Sequence, residues 1–439
     1  MQNIVAVFKN KDVLLKIGFT LIAFAIYKLA ATYIHIPLID QAIIQGFFDD
    51  AESGVLGIAN ALTGNALKNY SIIALGIGPY ITASIVIQLL QMDIVPILKE
   101  WQEEGETGKQ KINQLTRYLA IGLAFVQALA MTYGFRLSGN TIFDVGLGFT
   151  PNFVTYTYLA IVMTAGTAFL LWLSDQITMK GIGNGTSMII VAGIVSSFPS
   201  MFSSLISQYL QADTANTASY LTFALVILVF VLVIFFVTVM QASIRKVPIQ
   251  YSNRPAGSKF QGKNDSHIPL KINSAGVIPV IFAVTILSIP STVMSFIEGF
   301  DTTFVGTWLS QMFDYTEPLG YAIYVVLIFI FAFFYSFVQI NPEKVADNLQ
   351  KQKAYIPGVR PGIETENYIS KTLFRITIIG ASYLVLVASL PIFMTMIFDL
   401  PAAVQIGGTS LLIVVGVAIE TTKQIKTQTQ EQNYSGFIK

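Results

Sequence analysis

The 439-residue chain contains no cysteine and little charge. Without cysteine, disulfides and thiolate chemistry are excluded. Charged residues make up 12% of the sequence, hydrophobic residues make up 54%, and the mean hydropathy is +0.64. Soluble domains carry about 25% charged residues, so this composition predicts a membrane protein. The formal net charge of +1 provides no global basic field for nucleic acid.

Motifs for catalysis or cofactor binding are also missing. The sequence has no phosphate-binding loop, no metal-ligand spacing and no nucleophile elbow, and its two histidines, His35 and His267, lie outside the long apolar runs. A glycine-rich run, GIGNG at 181–185, follows no strand pattern, so we interpret it as a loop that enters a span. We therefore expect no catalytic site, no cofactor and no metal ion.

Long apolar runs recur along the whole chain. Crossing a hydrocarbon core of ~30 Å takes roughly 20 helical residues, and helices are favoured because open sheets leave unpaired edges in lipid. Lys9, Lys11 and Lys16 lie at the first run, but no small-residue cleavage site follows, so we expect a retained first span. The ten predicted spans are 14–34, 73–92, 115–135, 154–174, 186–207, 218–243, 272–293, 319–340, 370–393 and 405–422.

The distribution of Lys and Arg predicts the orientation. Only Lys28, Lys68 and Arg136 fall with the odd-numbered connections, whereas the other 23 of the 26 basic residues fall at the termini and the even-numbered connections. The positive-inside rule therefore places both termini in the cytoplasm. The two largest cytoplasmic loops, about 244–271 and 341–370, contain many Lys and Arg residues and are rich in glycine and proline, and we interpret them as docking surfaces.

An even span count allows two five-helix halves of opposite topology. Residues 77–81 of span 2 resemble residues 277–281 of span 7, and residues 185–191 of span 5 resemble residues 408–414 of span 10. We predict an all-α polytopic membrane protein with two inverted five-helix halves around a central pore. The halves are 1–215, with a plug segment, and 216–439, with the two large cytoplasmic loops.

The repeats bring isoleucines to similar depth. If the halves pack around a two-fold axis, Ile81, Ile190, Ile281 and Ile413 face one another, and Ile85 lies one turn from Ile81. A narrow aliphatic collar gates by dewetting. Ordinary helix packing or lipid contact is the alternative interpretation. The segment 51–67 is too short to span and is either a re-entrant element or an external loop.

Charged residues in the spans lie near the span ends, which argues against an ion-coupled transporter. Lys16, Asp93, Arg375, Asp399 and Glu420 all lie at or next to span ends. A secondary transporter of neutral substrates and a membrane scaffold remain alternatives to a passive channel.

Five motifs, in order along the chain, resemble the SecY family of protein-export channels. They are ALGIGPYITASI at 74–85, GIGNG at 181–185, LKINSAGVIP at 270–279, IPGVRPG at 356–362 and GGTSLLI at 407–413. The resemblance implies a gated channel that carries unfolded preproteins across the membrane and releases apolar segments sideways into lipid. The family has a partner motor or the ribosome as its energy source and has no enzymatic activity of its own.

The same resemblance implies roles for individual residues. Its pore ring maps onto Ile81, Ile85, Thr186, Ile190, Ile281 and Ile413, with Thr186 at a position where many relatives are aliphatic. Its plug maps within residues 54–67, with the core positions Gly54, Val55, Leu56, Gly57, Ile58, Ala59 and Asn60.

The resemblance also implies a lateral gate and a set of partners. Gate candidates are Gln88, Gln127 and Thr285, and docking candidates are Arg245, Lys246, Arg254 and Arg360. The implied partners are SecE, SecG, SecA, the ribosome, preprotein signal sequences and membrane lipids, and no nucleic-acid role is implied beyond ribosome contact.

Overall fold

The structure, a computed structural model, consists mainly of helices. It describes residues 10–37, 39–50, 60, 63–91, 95–137, 152–210, 217–251, 266–295, 303–315, 317–398 and 407–435. Each of the ten predicted spans lies on a helix. These helices are span 1 Lys11–Tyr33, span 2 Gly78–Leu90, span 3 Glu106–Leu137, span 4 Phe153–Lys180, span 5 Gly185–Tyr209, span 6 Thr217–Ala242, span 7 Ile278–Ser295, span 8 Pro318–Gln339, span 9 Ile363–Phe398 and span 10 Gly407–Ser435.

In the described parts of the connections, four short helices lie between the spans. They are α1 Gln41–Asp50, α2 Pro96–Glu103, α3 Phe304–Phe313 and α4 Pro342–Lys351. Among the described residues, seven helices are long and apolar enough to cross a membrane, namely spans 1, 3, 4, 5, 6, 8 and 9. Spans 2 and 7 contain shorter apolar helices.

Spans 2 and 7 begin later than the sequence analysis predicts. Their helices start at Gly78 and Ile278 rather than at residues 73 and 272. Gly76 and Gly276 have φ angles of +57° and +67°, a left-handed conformation that cannot continue an α-helix. A proline then occupies the first turn of each helix, where its missing N–H has no cost. The two halves thus share the same way of starting their second helix.

Each half has its own packed interior. Spans 6 to 10 contribute the buried residues of one large apolar cluster, which includes Val237, Ala283, Ile328, Leu384 and Leu412. Spans 1, 3, 4 and 5, with the segment 63–77, form two further clusters. The predicted division between residues 215 and 216 falls outside the described residues.

A small antiparallel sheet, which the sequence analysis did not predict, joins the two large loops. Its strands are β1 Ile244–Tyr251, β2 Ser266–Lys271 and β3 Ala354–Tyr355, in the order β2-β1-β3. In β1, Val247 and Ile249 are buried between exposed neighbours, an alternation that could have identified the strand. The strands pack on α4 and span 9 through a cluster that includes Leu349 and Ile369.

The sheet constrains the topology independently of charge. Gln250 of β1, which follows span 6, pairs with Tyr355 of β3, which precedes span 9. The loops after spans 6 and 8 therefore lie on the same side of the bundle. This agrees with the distribution of Lys and Arg, which places both loops in the cytoplasm.

The topology makes a labelling prediction that the absence of cysteine makes easy to test. Gln352 is exposed after α4, and Gln311 is exposed on α3, in the loop between spans 7 and 8. In intact cells, an impermeant thiol reagent should label Gln311→Cys and should leave Gln352→Cys unmodified until the membrane is opened. Labelling of Gln352→Cys in intact cells would show that the orientation is the opposite of the predicted one.

Candidate pore, gate and docking surface

The five isoleucines of the predicted collar lie in three apolar clusters that share members. Ile85 is buried with aromatic residues of spans 7 and 8, and Ile81 packs against that cluster. Ile81 and Ile190 both pack against a cluster formed by spans 1, 4 and 5. Ile190 also packs, with Ile281, against the cluster that contains Ile413. The five side chains thus form one connected set that crosses from one half to the other.

Thr186 is engaged at the start of span 5. Its hydroxyl donates to Asn184 Oδ1 at 2.7 Å, and the same oxygen accepts the Thr186 N–H at 3.1 Å. This is an N-cap, in which a side-chain oxygen satisfies a free N–H of the first helical turn. The Thr186 hydroxyl is therefore satisfied at the helix start, one turn before Ile190.

Backbone N–H groups of the GIGNG loop donate hydrogen bonds to side chains of three spans. The N–H of Ile182 donates to Thr20 Oγ1 at 3.1 Å, and the N–H of Gly183 donates to Gln424 Oε1 at 2.9 Å. The N–H of Gly185 donates to Thr178 Oγ1 at 2.9 Å. A phosphate cradle needs free N–H groups, and here protein acceptors occupy them. The loop instead ties the start of span 5 to spans 1, 4 and 10.

The predicted plug is only partly visible. Residues 54–59 lie outside the described residues, whereas Asn60 and residues 63–67 are described. The Asn60 carbonyl accepts a hydrogen bond from the Thr63 hydroxyl at 2.9 Å and one from the Asn65 N–H at 2.9 Å. These bonds fold the end of the segment into compact turns.

The visible end of the segment packs beside two collar residues. A methyl group on Gly64 would lie 3.0 Å from the carbonyl oxygen of Gly193 in span 5, so only glycine fits this approach. Gly193 is three residues from Ile190, about 4.5 Å along the helix. Ala66 is fully buried in the cluster that Ile81 and Ile190 contact. The Tyr27 hydroxyl donates to the Thr63 carbonyl at 2.8 Å.

A hydrogen bond joins the two halves at the predicted gate. The Tyr335 hydroxyl of span 8 donates to Gln88 Oε1 of span 2. Gln88 Nε2 in turn donates to Ser84 Oγ at 3.1 Å. The sequence analysis identified Gln88 and missed Tyr335, because a tyrosine within an apolar run carries no local signal of a partner 247 residues away.

Aromatic contacts surround this hydrogen bond. The Phe282 ring of span 7 lies 5.0 Å from the Tyr335 ring and 5.5 Å from the Phe331 ring, both in edge-to-face geometry. Such pairs are worth about 0.5–1.5 kcal/mol beyond their buried area. Ile85 of span 2 is buried in the same cluster. Spans 2, 7 and 8 therefore meet through an apolar contact with one polar bond inside it.

The other two predicted gate residues have different surroundings. Gln127 is exposed on span 3. The Thr285 hydroxyl donates to the Ile281 carbonyl of its own helix at 2.8 Å. Gln88, unlike the exposed Gln127, has a recorded hydrogen bond to the other half.

Arg360 lies on a rigid turn. The Val359 N–H donates to the Ile356 carbonyl at 3.0 Å, and Gly358 has a φ angle of +81°. The Arg360 carbonyl accepts a hydrogen bond from the hydroxyl of Thr365, a residue only 1% exposed. The backbone of Arg360 is therefore fixed while its side chain is exposed to solvent.

The remaining docking candidates lie at the sheet. Arg245 and Lys246 are exposed on β1, whereas Arg254 lies outside the described residues. The exposed cations of β1 and the Arg360 turn belong to one folded unit, because β1 and β3 pair.

Two helical halves, a connected apolar set between them and a buried non-helical segment beside that set define a polytopic α-helical membrane protein of the channel class. The chain belongs to the SecY family, whose model matches residues 71–422.

Close relatives span the full chain. The protein translocase subunit SecY of Halalkalibacterium halodurans is 46% identical and covers 100% of both chains. That of Bacillus licheniformis is 45% identical over 98% of this chain and 97% of its own length. The corresponding subunit of Bacillus subtilis is 46% identical, with the same coverage.

Solved structures share the fold. A protein-conducting channel superposes with a TM-score of 0.62 at 17% identity, covering 94% of this chain and 92% of its own. The idle yeast Ssh1 complex bound to the ribosome includes a chain that matches with a TM-score of 0.61 at 13% identity, covering 92% of this chain and 89% of its own.

The connected isoleucines make a prediction about polarity. Ile413 is 5% exposed, and Ile413→Asn places an amide in an apolar contact, so water should enter it and the resting ion conductance of the reconstituted protein should rise. The conservative control is Ile413→Leu, which keeps the hydrocarbon and should keep conductance low. Equal leakage from both variants would indicate that shape, not polarity, matters at this position.

Proposed function

We propose that this protein is the protein-conducting channel of the general secretory pathway. Unfolded preproteins cross the membrane through it, and apolar segments leave it sideways into lipid. Similarity to SecY subunits over the full chain carries this proposal. The connected isoleucines beside a buried non-helical segment also support it, because together they can seal a pore.

The isoleucine set acts as the seal. Aliphatic side chains offer no hydrogen bonds to water or ions, so a narrow contact among them stays dry and resists ion flow. The β-branched side chains are stiff at χ1, so the contact keeps its shape. Only dispersion and hydrophobic contacts hold the constriction closed. A translocating chain can therefore displace the isoleucine side chains.

The segment that ends at residues 63–67 acts as the plug. Its packing against span 5 supports this role, since Gly64 approaches Gly193 just beyond Ile190. Backbone and small side chains make this contact with span 5. Little buried side-chain area is therefore exposed when the segment withdraws. One buried hydrogen bond, from Tyr27 to the Thr63 carbonyl, holds the segment against span 1.

Spans 2 and 3 of one half and spans 7 and 8 of the other form the lateral gate. The Tyr335–Gln88 hydrogen bond and the aromatic contacts around it favour the closed gate. An apolar signal helix competes for these contacts when it enters. The strength of these aromatic contacts therefore sets how apolar a signal helix must be to replace them.

Transport energy comes from partners. SecA or the ribosome docks on the cytoplasmic sheet and the Arg360 turn, and SecE and SecG complete the complex in the bacterial plasma membrane with both termini of this chain in the cytoplasm. The exposed guanidinium on a rigid turn supports docking, because it can form two parallel hydrogen bonds to a carboxylate.

The decisive experiment uses purified protein in vesicles. With SecE, SecG, SecA and ATP, a radiolabelled preprotein should become protected from added protease, and omission of SecA should abolish protection. Counterflow of a small solute without a motor would instead identify a secondary transporter.

The gate hydrogen bond makes a prediction about selectivity. Tyr335→Phe removes one hydroxyl and keeps the ring, so the closed gate should lose about 1 kcal/mol, roughly fivefold in the closed-to-open ratio. Preproteins with weakened signal sequences should then be transported faster, as measured by the same protection assay.

Span 8 contains a matched control for this substitution. The Tyr321 hydroxyl donates to Ser389 Oγ at 2.7 Å, between spans 8 and 9 of the same half. Tyr321→Phe makes the same chemical change but should leave selectivity unaltered. The gate assignment is wrong if both variants, or neither, admit the weakened signals.

Substitutions of Arg360 test whether this residue is needed for SecA-driven transport. Arg360→Glu should lose most SecA-driven transport. Arg360→Lys should lose less, because it keeps the positive charge but lacks the planar guanidinium that forms two parallel hydrogen bonds. Arg360→Lys keeps all six Lys and Arg residues between 344 and 375, and Arg360→Glu keeps five of them. The positive-inside rule counts these residues, so orientation should be normal. The measurement is transport at matched channel content.

Lys353 provides the control for charge. It is exposed in the same loop, so Lys353→Glu makes the same charge reversal away from the turn. Transport close to wild type is expected for this variant. Wild-type rates for Arg360→Glu, or equal losses for the two glutamate variants, would remove the specific role of Arg360.

A further inference from the structure

The short helix α3, Phe304–Phe313, carries four large apolar side chains that remain partly exposed. Phe304 is 79% exposed, Val305 60%, Trp308 52% and Met312 37%. At 100° per residue these four side chains lie within one arc of about 100° on the helix. A helix in water would not expose four large apolar residues in one stripe.

The opposite face of α3 is already docked on the protein. Gly306 is buried, and Phe313 packs against the large cluster of spans 6 to 10. Tyr315, directly after the helix, is 4% exposed in the same cluster, with its ring 6.1 Å from that of Tyr324. The exposed stripe is therefore held in a fixed direction rather than on a loose loop.

The place of α3 in the chain identifies what the stripe meets. The helix ends at Phe313, and span 8 begins at Pro318, so the connection reaches at most about 15–18 Å. Helix α3 also packs against both span 7 and span 8. It must therefore lie at the level where span 8 enters the hydrocarbon.

The composition of α3 fits that level. The sequence FVGTWLSQMF has no charged residue, and its polar residues are Thr307, Ser310 and Gln311. Trp and Phe favour the boundary between headgroups and acyl chains, where amphipathic helices lie about 5–10 Å deep. Leu319 of span 8 is 42% exposed and starts an outward stripe with Val326 and Ile330. Helix α3 is therefore packed against a span that carries an exposed apolar stripe of its own.

We propose that α3 is an interfacial anchor whose stripe of Phe304, Val305, Trp308 and Met312 is buried in the lipid boundary. Its partner is the bilayer, not another protein. Because α3 packs on spans 7 and 8, it fixes the ends of these two spans relative to the membrane surface. The spans are those assigned to the lateral gate, although the location of α3 in lipid does not depend on transport.

The three tryptophans allow a direct measurement. The full chain with Trp101→Phe and Trp172→Phe retains Trp308 alone, and it is reconstituted in phosphatidylcholine vesicles. We expect blue-shifted emission that lipids brominated near the ester end quench more than lipids brominated near the methyl end. Soluble acrylamide should quench it weakly.

The other two tryptophans serve as controls. Trp172 is 55% exposed on span 4 and should be quenched by brominated lipid. Trp101, on the cytoplasmic helix α2, lies under the Lys111 ammonium at 5.7 Å and should be insensitive to bromine. Each is measured in the variant that retains it alone.

The possible outcomes separate the proposal from its rivals. Strong acrylamide quenching of Trp308 without bromine quenching would place the stripe in water, and protection from both quenchers would mean that protein covers it. Either result overturns the anchor and leaves the proposed channel function untouched. A spin label at Val305→Cys gives an independent depth measurement that keeps all three tryptophans: greater accessibility to dissolved oxygen than to a polar nickel complex is expected, and the reverse contradicts the anchor.

Discussion

A bilayer core offers no hydrogen-bond partner, so every backbone N–H and C=O within it must be paired inside the protein. Helices meet this requirement, and non-helical backbone is tolerated only where protein encloses it. The segment 63–77 shows how this is achieved. The Ile36 N–H donates to the Tyr70 carbonyl at 3.2 Å, and the Ile72 N–H donates to the Ile34 carbonyl at 3.1 Å. The end of span 1 thus pairs the backbone of the segment leading to span 2.

The same constraint brings the segment close to the candidate pore. A non-helical stretch that must be buried lies among the spans, and it fits there because Gly64 and Ala66 are small. Ile81 and Ile190 pack on the cluster that contains Ala66. Burial of this backbone and the packing of Ile81 and Ile190 therefore belong to one arrangement of side chains.

Contacts within a half and contacts between halves differ in kind. Inside the C-terminal half, a large apolar cluster joins all five spans. Between spans 2 and 8, the described contact is a smaller aromatic cluster with the Tyr335–Gln88 bond. β1 follows span 6 directly and β3 precedes span 9, so the sheet is attached to the C-terminal half.

The sequence by itself determined the approximate positions of the ten spans, the alternation of basic and non-basic connections, and the isoleucine repeats. Hydrophobic length, basic residues and local spacing can all be read from neighbouring residues. The starts of spans 2 and 7 were misplaced, since apolar residues continue through the turns at Gly76 and Gly276. Only the tertiary structure decided the sheet between two loops and the pairing of Tyr335 with Gln88. These depend on residues far apart in the chain, whose meeting is set by how whole helices pack and not by any local pattern.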